Sequence, residues 1–292
     1  MKVLILGASG MIGHRMWAEF GKVHETYGVI RRPELGPLAN IEGINSQQSF
    51  CNVDVKDISK IDSIIGEVKP DVVLNCVGVI KQLKESKNPI VTIQSNSLFP
   101  HLLAEICEKH NSRMIQFSTD CVYDGRDGFY DENDSANATD LYGKTKSLGE
   151  VTQYKNVVTI RTSCVGREVF EANGLLEWFV SQNGGKVGGF TKAIFSGFPA
   201  KTLAKILLEK IVPNEELNGL YHIASQKINK YELLKAFKDT LGLDIEIEVN
   251  NEFEVDRSLN SDHFNKTVGF EYLPWTELVE DIMVDNDFYN GL

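Results

Sequence analysis

The 292-residue chain has few cysteines. Cys51, Cys76, Cys107, Cys121 and Cys164 are odd in number, lie far apart and form no Cys-x-x-Cys pair. That pattern argues against a disulfide framework or zinc ribbon and predicts a reducing, cytoplasmic setting. Basic residues are not in excess: 30 Lys and Arg stand against 41 Asp and Glu, a net charge of −11. A nucleic-acid partner, which calls for a broad basic face, is therefore not expected. No apolar run approaches the roughly 18 residues of a membrane span, so no membrane partner is expected. The apolar stretch Val3–Leu6 stops at Gly7, too early for a signal-peptide core. The six histidines make no His-x-x-x-His or His/Cys cluster, so no metal is expected; His14 and His101 read as cap or core residues. Internal repeats and low-complexity tracts are also missing.

What is present is the rhythm of an α/β protein. Apolar runs at Val3–Leu6, Thr26–Ile30, Phe50–Val53, Val72–Leu74, Arg113–Phe117 and Val157–Ile160 alternate with helical patterns at Met11–Phe20, Ile58–Val68, Pro89–Lys109 and Leu141–Val151. Strands that are apolar throughout are buried on both faces, which predicts a Rossmann-type, doubly wound parallel sheet. After about residue 165 the rhythm changes. Gly184-Gly185 and Gly188-Gly189 read as loops. Helices are expected near 175–181, 202–210 and 230–240, and strands near 219–223 and 245–249. The expected division is a cofactor domain over 1–164, to which 200–212 returns, and a smaller, interleaved α/β substrate region over 165–292. The cleft between them is the expected site.

Gly7-Ala8-Ser9-Gly10-Met11-Ile12-Gly13 ends the first strand and opens the first helix. The spacing is GxxGxxG. The first glycine serves a tight turn, the second a close approach of backbone to pyrophosphate, and the third close helix–strand packing. The helix N-terminus adds free N–H groups and a positive dipole for phosphates. At the end of the second strand stand Arg31 and Arg32, where an NAD-selective chain would place a carboxylate. Two guanidiniums suit a 2′-phosphate, so NADP(H) is expected over NAD(H).

Tyr142 and Lys146 are four apart and share a helical face. A phenol titrates near 10, and a neighbouring ammonium should lower that value. Thr119 and Asp120 follow the fifth strand, whose end faces the ligand crevice. There Thr119 can donate to a substrate carbonyl oxygen while Tyr142 delivers a proton.

On these residues the chain resembles the extended short-chain dehydrogenase/reductase family, and within it the dTDP-4-dehydrorhamnose reductases and related sugar-nucleotide-binding proteins. The matching stretches are Ser118–Gly125, Tyr142–Lys146, Arg161–Ser163, Gly219–Ala224 and Asp256–Phe264. The resemblance implies that Gly7, Gly10, Met11, Ile12 and Gly13 hold the pyrophosphate. It implies that Asp54 and Val55 border the adenine, and that Asn75, Cys76, Val77 and Gly78 line the cofactor. Asn96 would position Lys146 through a water. Thr119, Tyr142 and Lys146 would be catalytic, Lys146 would also bond the nicotinamide ribose, and Thr119 and Asp120 would contact the sugar. Cys164 stands where rhamnose-type reductases carry Trp, and Met11 where they carry Gln. Arg257 and Lys192 are further candidates for the nucleotide diphosphate, by a bidentate fork and a point charge respectively. The expected activity is NADPH-dependent reduction of a nucleotide-linked 4-keto-sugar for surface polysaccharide or nucleotide-sugar synthesis; a homodimer is compatible with it. An NAD-dependent epimerase or dehydratase, and a catalytically silent regulatory module, are the alternatives on the same fold.

Overall fold

The computed structural model describes residues 1–289, without the side chains of 283–288, so the last three residues of the expected second region lie outside it. Its main sheet contains β1 (Lys2–Leu6), β2 (Glu25–Val29), β3 (Ser49–Phe50), β4 (Val72–Asn75), β5 (Arg113–Phe117) and β6 (Val157–Arg161). A seventh strand comes from far along the chain, Gly219–His222. Numbered in chain order it is β10, after β7 (Cys164–Val165), β8 (Lys186–Phe195) and β9 (Phe198–Pro199). The order is β10-β6-β5-β4-β1-β2-β3, with every pairing parallel. The strand expected near 219–223 thus forms as an edge of the main sheet, beside β6, and not within the smaller region.

Alternation along each strand divides the core between the two faces of the sheet. Val3, Ile5, Leu74 and Ile115 join the side chains of α1 (Met11–Gly21) in one buried cluster. Leu4, Leu6, Val73 and Met114 join those of α2 (Ile58–Val68) in another. α2 shows how locally the helices are written. The Asp57 carboxylate caps it by accepting from the Lys60 N–H at 3.0 Å. Ile61, Ile64, Ile65 and Val68 form its buried stripe, and Lys69 ends it in a left-handed conformation.

The helical stretch after β4 is not uniform. It runs as α3 (Pro89–Ile93), a π-helical turn over Gln94–Leu98, and α4 (Phe99–Lys109). α5 (Leu141–Leu148) follows β5 and stops at Gly149, where a Cβ would lie 1.8 Å from the Asn96 carbonyl oxygen. Beyond β6 come β7, α6 (Leu175–Val180), β8, β9 and α7 (Ala200–Ile206), the last lying against α1.

The smaller region is a three-stranded sheet of order β11-β8-β12, with β11 Ile228–Asn229 and β12 Glu246–Asp256. α8 (Lys230–Leu241) packs on it, and α9 (Asp262–Val268) and α10 (Trp275–Tyr289) complete the chain. The Gly188-Gly189 pair, expected to be a loop, lies inside β8. At Gly189 a Cβ would come within 2.6 Å of Tyr231 and 2.8 Å of Ile247, so the glycine marks a close approach and not a break. Among the described residues no helix is long and apolar enough to cross a membrane.

Candidate active site

The strand order reverses between β1 and β4, and ligands of doubly wound sheets bind in the crevice at that switch, outside the carboxyl ends of the strands. The glycine loop leaves β1 there. Gly7 has φ +76°, and a Cβ on it would meet the backbone of Cys76 and Val77 at 3.0–3.1 Å. Gly13 is pressed on the loop itself, since its Cβ would lie 2.1 Å from the Gly7 carbonyl oxygen. Gly10 differs: its nearest neighbour would be 3.5 Å away, which leaves backbone open to an incoming group. Gly10 is also the N-cap of α1 and offers no side chain to the first-turn N–H groups of Met11, Ile12 and Gly13. An uncapped helix start behind an open glycine fits a pyrophosphate. His14 is buried; its Nδ1 donates to the Gly10 carbonyl at 2.8 Å, and burial lowers its pKa to about 4. His101 bonds the Leu148 carbonyl at 2.8 Å. Both histidines therefore serve structure.

Asn96, in the π-helical turn, fixes the opposite wall. Its Oδ1 accepts from the Val79 N–H at 2.8 Å, and its Nδ2 donates to the Val79 carbonyl at 3.1 Å and to Thr145 Oγ1 at 3.3 Å. Asn96 thus ties the Cys76–Gly78 loop to α5. Its direct partner on α5 is Thr145, not Lys146. At the adenosine end, Asp54 is exposed and its Oδ1 accepts from the Lys56 N–H at 3.0 Å, with Val55 half-buried beside it. Arg31 is exposed and has no ion-pair partner among the described residues. Arg32 is engaged: Glu171 lies 3.2 Å away and the Phe170 ring 3.8 Å from its guanidinium carbon.

Thr119, Asp120, Tyr142 and Lys146 gather where β5 ends. Thr119 caps the turn that follows: its Oγ1 accepts from the Cys121 N–H at 3.1 Å and donates to the Asp120 carboxylate at 3.0 Å. Burial raises the Asp120 pKa, opposed by the Thr119 hydrogen bond and by the charges of Arg257 and Lys230. Burial also pushes the Tyr142 phenol well above its ordinary value, with its hydrogen bond to Thr119 pulling the other way. The expected lowering by Lys146 does not occur. The Lys146 ammonium instead donates to the Phe117 carbonyl at 2.6 Å, and burial lowers its own pKa to about 8. Desolvation is the largest cause of the phenol's shift, and Cys121, Asp120 and Asp140 push the same way. Tyr142 consequently holds its proton at neutral pH, the state an acid needs.

Three residues absent from the sequence reading join this set. Lys81 lies 5.5 Å over the Tyr142 ring and pairs with Asp140, the cap of α5, at 2.8 Å. Its signal was a cation three residues beyond Gly78, in the loop after a strand whose end faces the crevice. Lys230, the first residue of α8, acts electrostatically on Asp120; tertiary packing alone brings it there. Glu150 is the third. It holds Arg161 through two bonds of 2.7 Å and accepts from Ser118 Oγ at 2.6 Å, and its charge also favours protonated Lys146. The i, i+4 spacing from Lys146 was the readable sign.

Two candidates have partners within the chain. Arg257 Nε donates to the Tyr123 carbonyl at 2.8 Å and Nη2 to the Asp124 carbonyl at 3.3 Å, which fixes its guanidinium on backbone near Asp120. Lys192 pairs with Glu254 at 3.1 Å across β8 and β12, with half of its side chain exposed; cross-strand register, not the crevice, decides its partner.

The glycine cradle lies at the end of β1, and Thr119 and Tyr142 meet at the end of β5. The profile of the RmlD substrate binding domain family matches residues 1–286. The chain belongs to this family. The family includes dTDP-4-dehydrorhamnose reductases and lies within the extended short-chain dehydrogenase/reductases. The chain is 29% identical over 183 residues to the probable low-salt glycan biosynthesis reductase Agl14 of Haloferax volcanii, covering 60% of each. It is 26% identical over 260 residues to the methionine adenosyltransferase 2 subunit beta of Danio rerio, covering 83% of this chain and 74% of that one. The fold matches a dTDP-4-dehydrorhamnose reductase of Bacillus anthracis crystallised with NADP, with TM-score 0.78, 19% identity and 97% and 98% coverage of the two chains. It also matches a hypothetical dTDP-4-dehydrorhamnose reductase of Sulfolobus tokodaii, with TM-score 0.77, 24% identity and 96% and 99% coverage.

Proposed function

We propose that the chain is an NADPH-dependent reductase of a nucleotide-linked 4-keto-sugar, working in the cytoplasm in surface polysaccharide or nucleotide-sugar synthesis. The reading rests on one juxtaposition. A half-buried, protonated Tyr142 stands beside Thr119, where β5 ends and the next turn begins. Residues 1–164 with 200–212 would hold the cofactor, and 165–292 most of the sugar nucleotide.

A bound reduced nicotinamide supplies hydride to the ketone carbon. The chain's own residues do the rest. Tyr142 gives its proton to the ketone oxygen, a transfer that positioned acids accelerate by about 10²–10⁴. Thr119 orients that oxygen by turning its hydroxyl proton to it from the Asp120 carboxylate. The phenolate left behind faces the Lys81 ammonium 5.5 Å from its ring centre, which favours the charged form. Lys146 would bond the nicotinamide ribose; with a pKa of about 8 it is charged at neutral pH. Arg31, exposed two residues beyond β2, is the first candidate for a 2′-phosphate.

The test is a panel of dTDP-, UDP- and GDP-linked 4-keto-sugars, read as loss of the NADPH absorbance band. Consumption with one member supports the reading, and silence with all of them defeats it. A second reading, a partner-binding subunit, draws on the 83% coverage by methionine adenosyltransferase 2 subunit beta. NADPH binding without consumption of any sugar would favour it.

A further inference from the structure

The segment after β7, residues 166–174, loops from Met11 out to Arg32 and back. Both ends of the segment touch the first residue of α1. A Cβ at Gly166 would lie 3.5 Å from the Met11 side chain, and one at Gly174 3.8 Å from the Met11 sulfur. Between these ends the segment is held in shape from within. Glu168 accepts from the Asn173 and Gly174 N–H groups at 3.3 and 2.5 Å, and Arg167 pairs with Glu177 of α6 at 2.6 Å. Its middle reaches the residue that follows β2 and Arg31. Phe170 covers one face of the Arg32 guanidinium at 3.8 Å and stands beside Gly36, where a Cβ would lie 3.4 Å from the ring. Glu171 takes an edge of that guanidinium at 3.2 Å, and the Asn173 amide donates to the other carboxylate oxygen of Glu171 at 3.4 Å.

We propose that Glu171 is a cofactor-selectivity residue: this strap holds an internal carboxylate on the edge of Arg32 that a 2′-phosphate would need. The inference rests on the nicotinamide-cofactor reading above. A guanidinium presents its donors in a fixed fork, so one edge serves one bidentate anion at a time. The Arg32–Glu171 pair is open to water, with side chains 39% and 58% exposed. Such pairs are weak, and a phosphate dianion can displace the carboxylate. The displaced Glu171 then lies beside the phosphate as a like charge. Both effects weaken NADPH and leave NADH, which offers a hydroxyl there, untouched. Glu171 accordingly narrows the preference that Arg31 and Arg32 create. The Phe170 ring keeps the guanidinium plane in place in either state.

The experiment is a titration of NADPH, NADH and adenosine 2′,5′-bisphosphate against the wild type, Glu171→Gln, Arg32→Ala and the double variant. Glu171→Gln should tighten NADPH and the bisphosphate by about three-fold, the range of an exposed ion pair, with NADH unchanged. In the Arg32→Ala background the same substitution should have a smaller effect, since the pair is already gone and only the like-charge repulsion remains. Equal effects on NADPH and NADH, weaker NADPH binding, or full persistence of the effect without Arg32 would overturn the proposal. So would failure of the bisphosphate to bind both the wild type and Glu171→Gln. Binding of the bisphosphate with the expected shift, but of neither nicotinamide cofactor, would uphold the strap and defeat the reductase reading.

Discussion

Replacing Lys146 by methionine should stabilise the folded chain at neutral pH while ending turnover. Burial takes the ammonium from 10.5 down to about 8. At ~1.4 kcal/mol per tenfold change, that corresponds to about 3 kcal/mol against holding the charge inside the fold. The lost hydrogen bond to the Phe117 carbonyl returns part of this, but the carbonyl keeps the Gln116 amide as a donor at 3.2 Å and is not orphaned. The expected net gain is about 1–3 kcal/mol at pH 7. The sign follows from proton counts. Below about pH 8 both the folded and unfolded chains carry the proton, and the whole penalty stands. Between about 8 and 10.5 the unfolded chain keeps a proton that the folded chain has lost, so wild-type stability rises with pH relative to the variant. Urea denaturation of both proteins near pH 7 and near pH 10 should show the variant's advantage shrinking toward zero. A variant less stable at pH 7, or an advantage that does not change with pH, would refute the reasoning.

Tyr142→Phe should lower turnover by about 10²–10⁴ with the NADPH dissociation constant within about two-fold, measured by steady-state kinetics and by titration. Gly13→Ala and Gly10→Ala should separate folding from binding. The first puts a methyl 2.1 Å from the Gly7 carbonyl oxygen and should destabilise the fold by about 1–3 kcal/mol or more in thermal melts. The second leaves 3.5 Å of room and should keep the melting temperature while weakening NADPH. Glu150→Gln leaves the buried Arg161 guanidinium without its carboxylate, at a cost of about 3–5 kcal/mol in denaturation experiments; a loss below about 1 kcal/mol would remove Glu150 from its anchoring role.

The sequence carried the main sheet because its strands are buried on both faces and read as unbroken apolar runs. The glycine turn was legible for a similar reason: Gly7 and Gly13 answer to backbone contacts a few residues away in the chain or across one strand. β8 was not legible. Its two glycines look like a loop until Tyr231 and Ile247, from elements distant in sequence, are seen packed against one of them. The site divides the same way. Tyr142 and Lys146 announce themselves by spacing, yet the direction of the phenol's shift depends on burial, which spacing cannot report. The cross-strand pairing of Lys192 with Glu254 is likewise invisible in one dimension. Lys230 and Arg257 reach Asp120 only through the packing of the smaller region on the sheet.

The most direct test of the account is isotopic. NADPH carrying deuterium at the transferable position is incubated with the accepted 4-keto-sugar nucleotide, and the product is read by mass and NMR. One deuterium at the former ketone carbon, formed by the wild type and lost with Tyr142→Phe, is the result predicted here. Product without deuterium, or labelled product formed equally well by the Tyr142→Phe variant, would contradict the proposed role of the Tyr142 phenol.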